Sequence, residues 1–251
     1  MTPLVGRVRA AMFARSFAIQ GSWNFRTLIG TGFGFVLLPA LRAIYRDQPD
    51  ELDAAIRRHC QIFNSHPYVA GIAVGAVARL EAEHTDPAVI ERFKSAVRGS
   101  LGGIGDRLVW AGWRPVCVLL ALGLVFAGAP WWAGALFLVA SYNVGHIALR
   151  VWSFRMGLDH GKFVGERLRR SRIAEAQRAL AGAGAFALGL VLPLAMTGGL
   201  VGARPTTPAW IVAVGTAGVL LGLRFGNAIR TPVVLALAAF ALLGLLLGSL
   251  R

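Results

Sequence analysis

The chain has 251 residues, 56% hydrophobic and only 15% charged, with a formal charge of +14 and a mean hydropathy of +0.61. Globular domains carry about a quarter charged residues, so this balance excludes a disordered chain, a coiled coil and most soluble folds. With so much apolar residue, the basic excess signals cationic cytoplasmic loops of a membrane protein and not a nucleic-acid partner.

From the N-terminus, residues 1–26 lack an apolar core long enough for a cleavable signal. Arg7, Arg9, Arg15 and the later Trp23 make them an interfacial amphipathic segment with a cytoplasmic N-terminus. Residues 27–114 are not conventionally transmembrane. Thr27 to Leu41 is uncharged but short of the ~20 residues a span needs and glycine-rich, with Pro39 near its end, which reads as a re-entrant or interfacial piece. Asp47 to Ile56 starts a soluble helix near Pro49 or Asp50. Tyr68 to Leu80 is a second short apolar piece, broken by Gly71 and Gly75. Glu81, Glu83, Asp86 and Glu91 lead into a polar helix that ends in the glycine run Gly99 to Gly105. Such interrupted pieces survive at membrane depth only where they line a cavity or pack on protein, and in transporters they build substrate sites.

Pro115 to Leu149 holds no Lys, Arg, Asp or Glu; as one helix it would be about 52 Å long, so it must fold back into a membrane hairpin. Gly128-Ala129-Pro130-Trp131-Trp132 supplies the turn and an interfacial tryptophan pair. Residues 150–178 carry Arg150, Arg155, Lys162, Arg167, Arg169, Arg170, Arg172 and Arg178 against Asp159, Glu166 and Glu175, which marks the cytoplasmic side. Residues 179–251 then give three continuous transmembrane helices, Ala179 to Ala203, Pro205 to Leu223 and Thr231 to Leu250.

Three stretches, in order, resemble a known family. They are Arg15-Ser16-Phe17 with Gln20-Gly21-Ser22-Trp23-Asn24-Phe25 and the following Gly32-Phe33-Gly34-Phe35; Arg58-His59-Cys60-Gln61-Ile62-Phe63-Asn64-Ser65-His66-Pro67-Tyr68; and Gly102-Gly103-Ile104-Gly105-Asp106-Arg107-Leu108-Val109-Trp110 through Trp113-Arg114-Pro115. Together they resemble the IID membrane subunit of mannose/fructose/sorbose-class sugar phosphotransferase systems, over roughly residues 12 to 160. Phe25-Arg26-Thr27 stands where the family shows tyrosine-glutamate-arginine, and Arg98-Gly99-Ser100 where it shows methionine-glycine-proline. The resemblance implies an all-α polytopic fold with re-entrant hairpins in a bacterial inner membrane. It also implies a IIC membrane partner in a hetero-oligomer, and a hexose that a cytoplasmic IIB subunit phosphorylates with phosphate relayed through IIA. A subunit of that complex that has lost transport is the alternative the motif departures allow.

Candidate residues each carry two readings. Asn64, Ser65 and His66 offer the donors and acceptors that sugar hydroxyls need, and Asn64 and Ser65 before Pro67 also read as a helix cap. Gln20 and Asn24 beside Trp23 can line the sugar path, or sit in an interfacial helix. Asp106, an acid at membrane depth, is a functional candidate by default; an ion pair with Arg107 or Arg114, or a cap for the helix through Trp110, is the structural reading and the favoured one. Gly102, Gly103 and Gly105 fit no nucleotide-loop spacing and serve close packing or a non-helical turn. The five histidines, His59, His66, His84, His146 and His160, and the two cysteines, Cys60 and Cys117, show no metal spacing. The arginines of 150–172 suit anionic lipid or an acidic partner. No catalytic set, cofactor motif or nucleic-acid signature is present in the sequence.

Overall fold

The computed structural model of the protein describes residues 4–196. Among the described residues the chain is helical, and its only ladder-type pairings are two isolated bridges, Asn24 to Leu28 and Leu28 to Phe63. The helices are α1 (Gly6–Ser16), α2 (Gly30–Ile44), α3 (Pro49–His59), α4 (Ala70–Ala82), α5 (Pro87–Gly105), a π-helical segment (Asp106–Trp113), α6 (Arg114–Phe126), α7 (Trp131–His160), a short 3-10 turn (Gly161–Phe163), α8 (Val164–Arg169) and α9 (Ile173–Met196). α9 covers the start of the first expected C-terminal span; the expected spans at 205–223 and 231–250 lie outside the described residues. The chain divides into two units, residues 4–106 with 146–171, and residues 107–145 with 172–196.

In the first unit, α2 and α4 form the centre, with α1, α3, α5 and the second half of α7 around them. Glycine lets α2 approach its neighbours backbone to backbone. A Cβ at Gly32 would overlap the Ile19 carbonyl, one at Gly30 the Gln61 carbonyl, and one at Gly34 the Cys60 sulfur. Pro39 sits inside α2 and cannot donate to the Phe35 carbonyl one turn back. That carbonyl is taken instead by Arg15 Nη1 at 3.1 Å, and the guanidinium lies 4.6 Å from the Phe35 ring centre. The helix therefore passes its proline without an orphaned acceptor.

α4 corrects the expectation of a break at Gly71 and Gly75. It is one continuous, almost wholly buried helix, and both glycines press against α7 at Ser153, Phe154 and Leu158, where a Cβ would not fit. α3 begins with Pro49 at its first turn, holds Asp50 and Glu51 there and Arg57, Arg58 and His59 in its last turn, so both ends complement the helix dipole. α5 is capped by Asp86, whose carboxylate accepts from Ala88 N at 2.7 Å. It runs unbroken through the glycine stretch into the π segment, so no non-helical turn forms at Gly99 to Gly105. At the far end of α4, Arg79 Nη1 donates to the Leu158 and Asp159 carbonyls at 3.3 and 2.5 Å, closing the last turn of α7 before Gly161 takes a left-handed φ of 51°.

In the second unit, α6 packs along α9, with Gly184 against Val116 and Gly123 against Val191. The chain reverses at Ala127 to Pro130, with Gly128 at φ 103°, and enters α7 at Trp131. α7 continues beyond Leu149 to His160, so the hairpin's second arm and the start of the expected basic segment are one helix. Two continuous helical runs, 87–126 and 131–169, are long and apolar enough to cross a membrane. This unit exposes many large apolar side chains, among them Leu120, Leu122, Leu124, Trp131, Trp132, Leu136, Val139 and Val144, alongside charged ones at Arg107 and from Arg172 to Arg178.

Candidate functional site

The structure brings two of the sequence motifs side by side. Phe63 N donates to Thr27 O at 3.2 Å and Ile29 N to Phe63 O at 3.0 Å, which zips the loop after Gln20 to the loop that holds Asn64. Leu28, between the two bridges, has φ 55°, a left-handed backbone that a branched side chain adopts only under constraint.

Within these loops the candidate residues differ sharply. Asn24 is committed to its own turn: Oδ1 accepts from Arg26 N and Thr27 N at 3.0 and 2.9 Å, while Nδ2 donates to Ser22 O and Thr27 Oγ1 at 3.0 and 2.8 Å. Gln20 and Asn64 are exposed, whereas Ser65 and His66 are buried. Asn64 and Ser65 cap no helix, because the next helix starts only at Ala70, behind Val69, with no side-chain cap. The cause is the turn at Pro67 to Val69, in which Val69 N and Ala70 N donate to the His66 carbonyl.

His66 is the meeting point. Gly105 abuts its side chain so closely that a Cβ there would overlap the imidazole. His66 Nδ1 accepts from Tyr68 N at 3.2 Å, so its proton sits on Nε2. It lies in a loop outside both long apolar helices; burial pushes it down to about 4, with Asp106 acting to raise it and Arg150 and His146 to lower it. Asp106 is exposed and stands where α5 passes into the π segment, its backbone N–H bonded to the Gly102 and Gly103 carbonyls; it joins no ion pair among the described residues, and acts on His66 through its charge. Gly102 faces open space and Gly103 is half-buried, so of the three candidate glycines it is Gly105 that abuts the His66 side chain.

Residues missed in the sequence complete this cluster. Tyr68 stacks on His146 with ring centres 3.9 Å apart and planes at 17°, and His66 meets Tyr68 edge-on at 5.0 Å. Arg150, read above as part of a solvated basic segment, is only 6% exposed; the other cations from Arg155 to Arg178 remain exposed. The usable signal was the spacing of His146, Arg150 and Ser153 at i, i+4 and i+7, which places them on one face of a helix.

A second buried group supports the loop from behind. Glu81, 1% exposed, accepts from Tyr45 Oη at 2.5 Å, Arg58 Nη2 at 2.7 Å and His59 Nε2 at 2.6 Å. Burial acts to raise Glu81, but the hydrogen bonds from His59, Arg58 and Tyr45 outweigh it and hold the carboxylate at about 2. Burial, then Glu81, pushes Tyr45 up to about 12, and burial lowers His59. A neutral His59 with its proton on Nε2 agrees with the geometry, since Nδ1 is buried without a partner and a proton there would be stranded. Lys94 Nζ adds a bond of 2.8 Å to the Arg58 carbonyl, closing the end of α3 just before the Asn64 loop.

Residues 5–204 match the family described as PTS system mannose/fructose/sorbose family IID component. The chain belongs to this IID family. It is 33% identical over 155 residues to the PTS system mannose-specific EIID component of Escherichia coli K12, covering 60% of this chain and 54% of that protein. It is 27% identical over 187 residues to the fructose permease IID component of Bacillus subtilis, covering 72% and 67%. The IID match to the Escherichia coli protein thus spans about half of that relative's length. The fold is that of a chain in the cryo-EM structure of the mannose transporter ManYZ with microcin E492, with TM-score 0.60 and 24% identity over 96% of this chain and 95% of that one.

Proposed function

We propose that this IID subunit translocates a hexose of the mannose type together with a IIC membrane partner, while a cytoplasmic IIB protein phosphorylates the sugar with phosphate relayed from phosphoenolpyruvate through IIA. The observation that carries the reading is the convergence of Ser65, His66, Gly105 and Asp106, with Gln20 and Asn64 on the adjoining exposed loops. A hydroxyl, an imidazole and a carboxylate meet there, and the amides of Gln20 and Asn64 on the two joined loops would add the paired donors and acceptors that a sugar needs. The subunit itself carries no catalytic step, and the chemistry belongs to IIB. The reading places the chain in the inner membrane as part of a hetero-oligomer, residues 1–26 at the lipid interface and the exposed arginines of 155–178 on the cytoplasmic side.

In vesicles, labelled hexose should accumulate as sugar phosphate only when both membrane subunits and the phosphorylation proteins are present. Free sugar inside would sink the proposal. The saturated side chain of Asn24 favours a second reading, a structural subunit without a sugar site; that one predicts a stable complex with IIC whose melting temperature no hexose shifts.

A further inference from the structure

Arg150 is a nearly buried cation that forms no ion pair among the described residues. Removing a charge from water costs several kcal/mol unless other groups replace the hydration. Here the replacement comes from several segments at once. Nη1 donates to the carbonyl of Ser16, the last residue of α1, at 2.6 Å. Nε donates to His146 Nε2 at 2.6 Å, which fixes His146 as the neutral tautomer protonated at Nδ1. The guanidinium carbon stands 4.8 Å from the Phe17 ring centre and 5.1 Å from that of Tyr68. One turn further along the same helix, Ser153 Oγ bridges the carbonyls of Arg150 and Tyr68 at 3.0 and 2.9 Å.

Tyr68 is therefore held by its ring, through His146 and Arg150, and by its carbonyl, through Ser153. Its backbone N–H in turn fixes the His66 imidazole. A planar guanidinium can meet a carbonyl, an imidazole and two aromatic rings in one geometry; an ammonium keeps the charge without the fork. We propose that Arg150 is the positioning residue of the candidate sugar site: by pinning the end of α1 and Tyr68 to α7, it sets the turn that presents Ser65 and His66. The role in transport rests on the function proposed above, while the positioning itself does not.

The test uses the full chain with Cys60→Ser and Cys117→Ser, carrying either Ser65→Cys or, at the opposite end of the same unit, Thr85→Cys. Arg150→Gln should speed labelling of Ser65→Cys by a water-soluble maleimide about tenfold, through local opening alone, and leave Thr85→Cys within about twofold. Arg150→Lys, which keeps a cation between the two rings but loses the fork, should recover only part of the slow rate. In the complex with IIC and without the labelling cysteines, Arg150→Gln should raise the KM for mannose uptake about tenfold while the saturated rate stays within about twofold. Unchanged labelling at position 65, or equal acceleration at both positions, overturns the proposal. A parent complex that takes up neither mannose, fructose nor sorbose overturns the transport reading, and the labelling result still decides the positioning claim.

Discussion

Glu81 shows how much of a site can depend on one side chain that touches no ligand. Three donors from α3 and the end of α2 converge on it, so its loss strands Arg58, His59 and Tyr45 together. Breaking a buried pair by deleting one partner costs about 3–5 kcal/mol, and Glu81→Ala should lower the unfolding free energy of the detergent-solubilised protein by about that much. The same carboxylate gives a signed pH dependence. Because folding lowers its pKa from 4.5 to about 2, its contribution is full above the unfolded value and disappears as pH falls from 4.5 towards 2. Melting temperatures measured across that window should decline in the parent and flatten in Glu81→Gln. At this scale the sequence was only partly legible. Arg58-His59 stood out within a motif, but Glu81 read as one of four carboxylates leading into a polar helix, since nothing in the spacing says which distant carboxylate a buried arginine will meet.

Glycine is where the reading of elements went astray, and for a physical reason. A glycine marks either a break in the chain or a close approach of another backbone, and only the neighbour distinguishes them. Gly71 and Gly75 were read as breaks and are approaches; Gly102 and Gly105, three residues apart in one run, behave oppositely. Gly105→Ala should push the His66 loop away and cost about 1–3 kcal/mol, as overpacking does, and Gly32→Ala should cost a similar amount against Ile19. Gly99→Ala and Gly102→Ala meet nothing within 4 Å and should gain up to about 1 kcal/mol from helix propensity. Denaturation of the four single variants separates the two classes. The segment was read as Thr27 to Leu41 with Pro39 near its end, and α2 runs on to Ile44 past the proline, whose freed carbonyl is served by Arg15, twenty residues upstream.

Across the whole molecule the two units differ in what they show to their surroundings. Helices α3 and α5 of the first turn charged side chains such as Asp50, Asp53, Arg57 and Arg92 outward, while α6 and the first half of α7 in the second turn leucine, valine and tryptophan outward. Nitroxides placed at Leu136, Val139 and Val144 in reconstituted vesicles should collide with oxygen more than with a water-soluble nickel reagent, and labels at Asp53 and Arg92 should show the reverse. The reversal near Gly128 was readable because it depends on residues close together in the chain, whereas the runs on either side of it extend well beyond the expected 115–149. The link from Arg150 to Ser16 spans 134 positions and was not readable. One local feature also escaped every periodic reading. Across Asp106–Trp113 the backbone bonds i to i+5, and each such turn takes in roughly one residue more than an α-turn. A wheel drawn at a constant 3.6 from Pro87 to Phe126 therefore slips out of phase midway. The stripes before Asp106 and after Trp113 therefore belong on separate wheels.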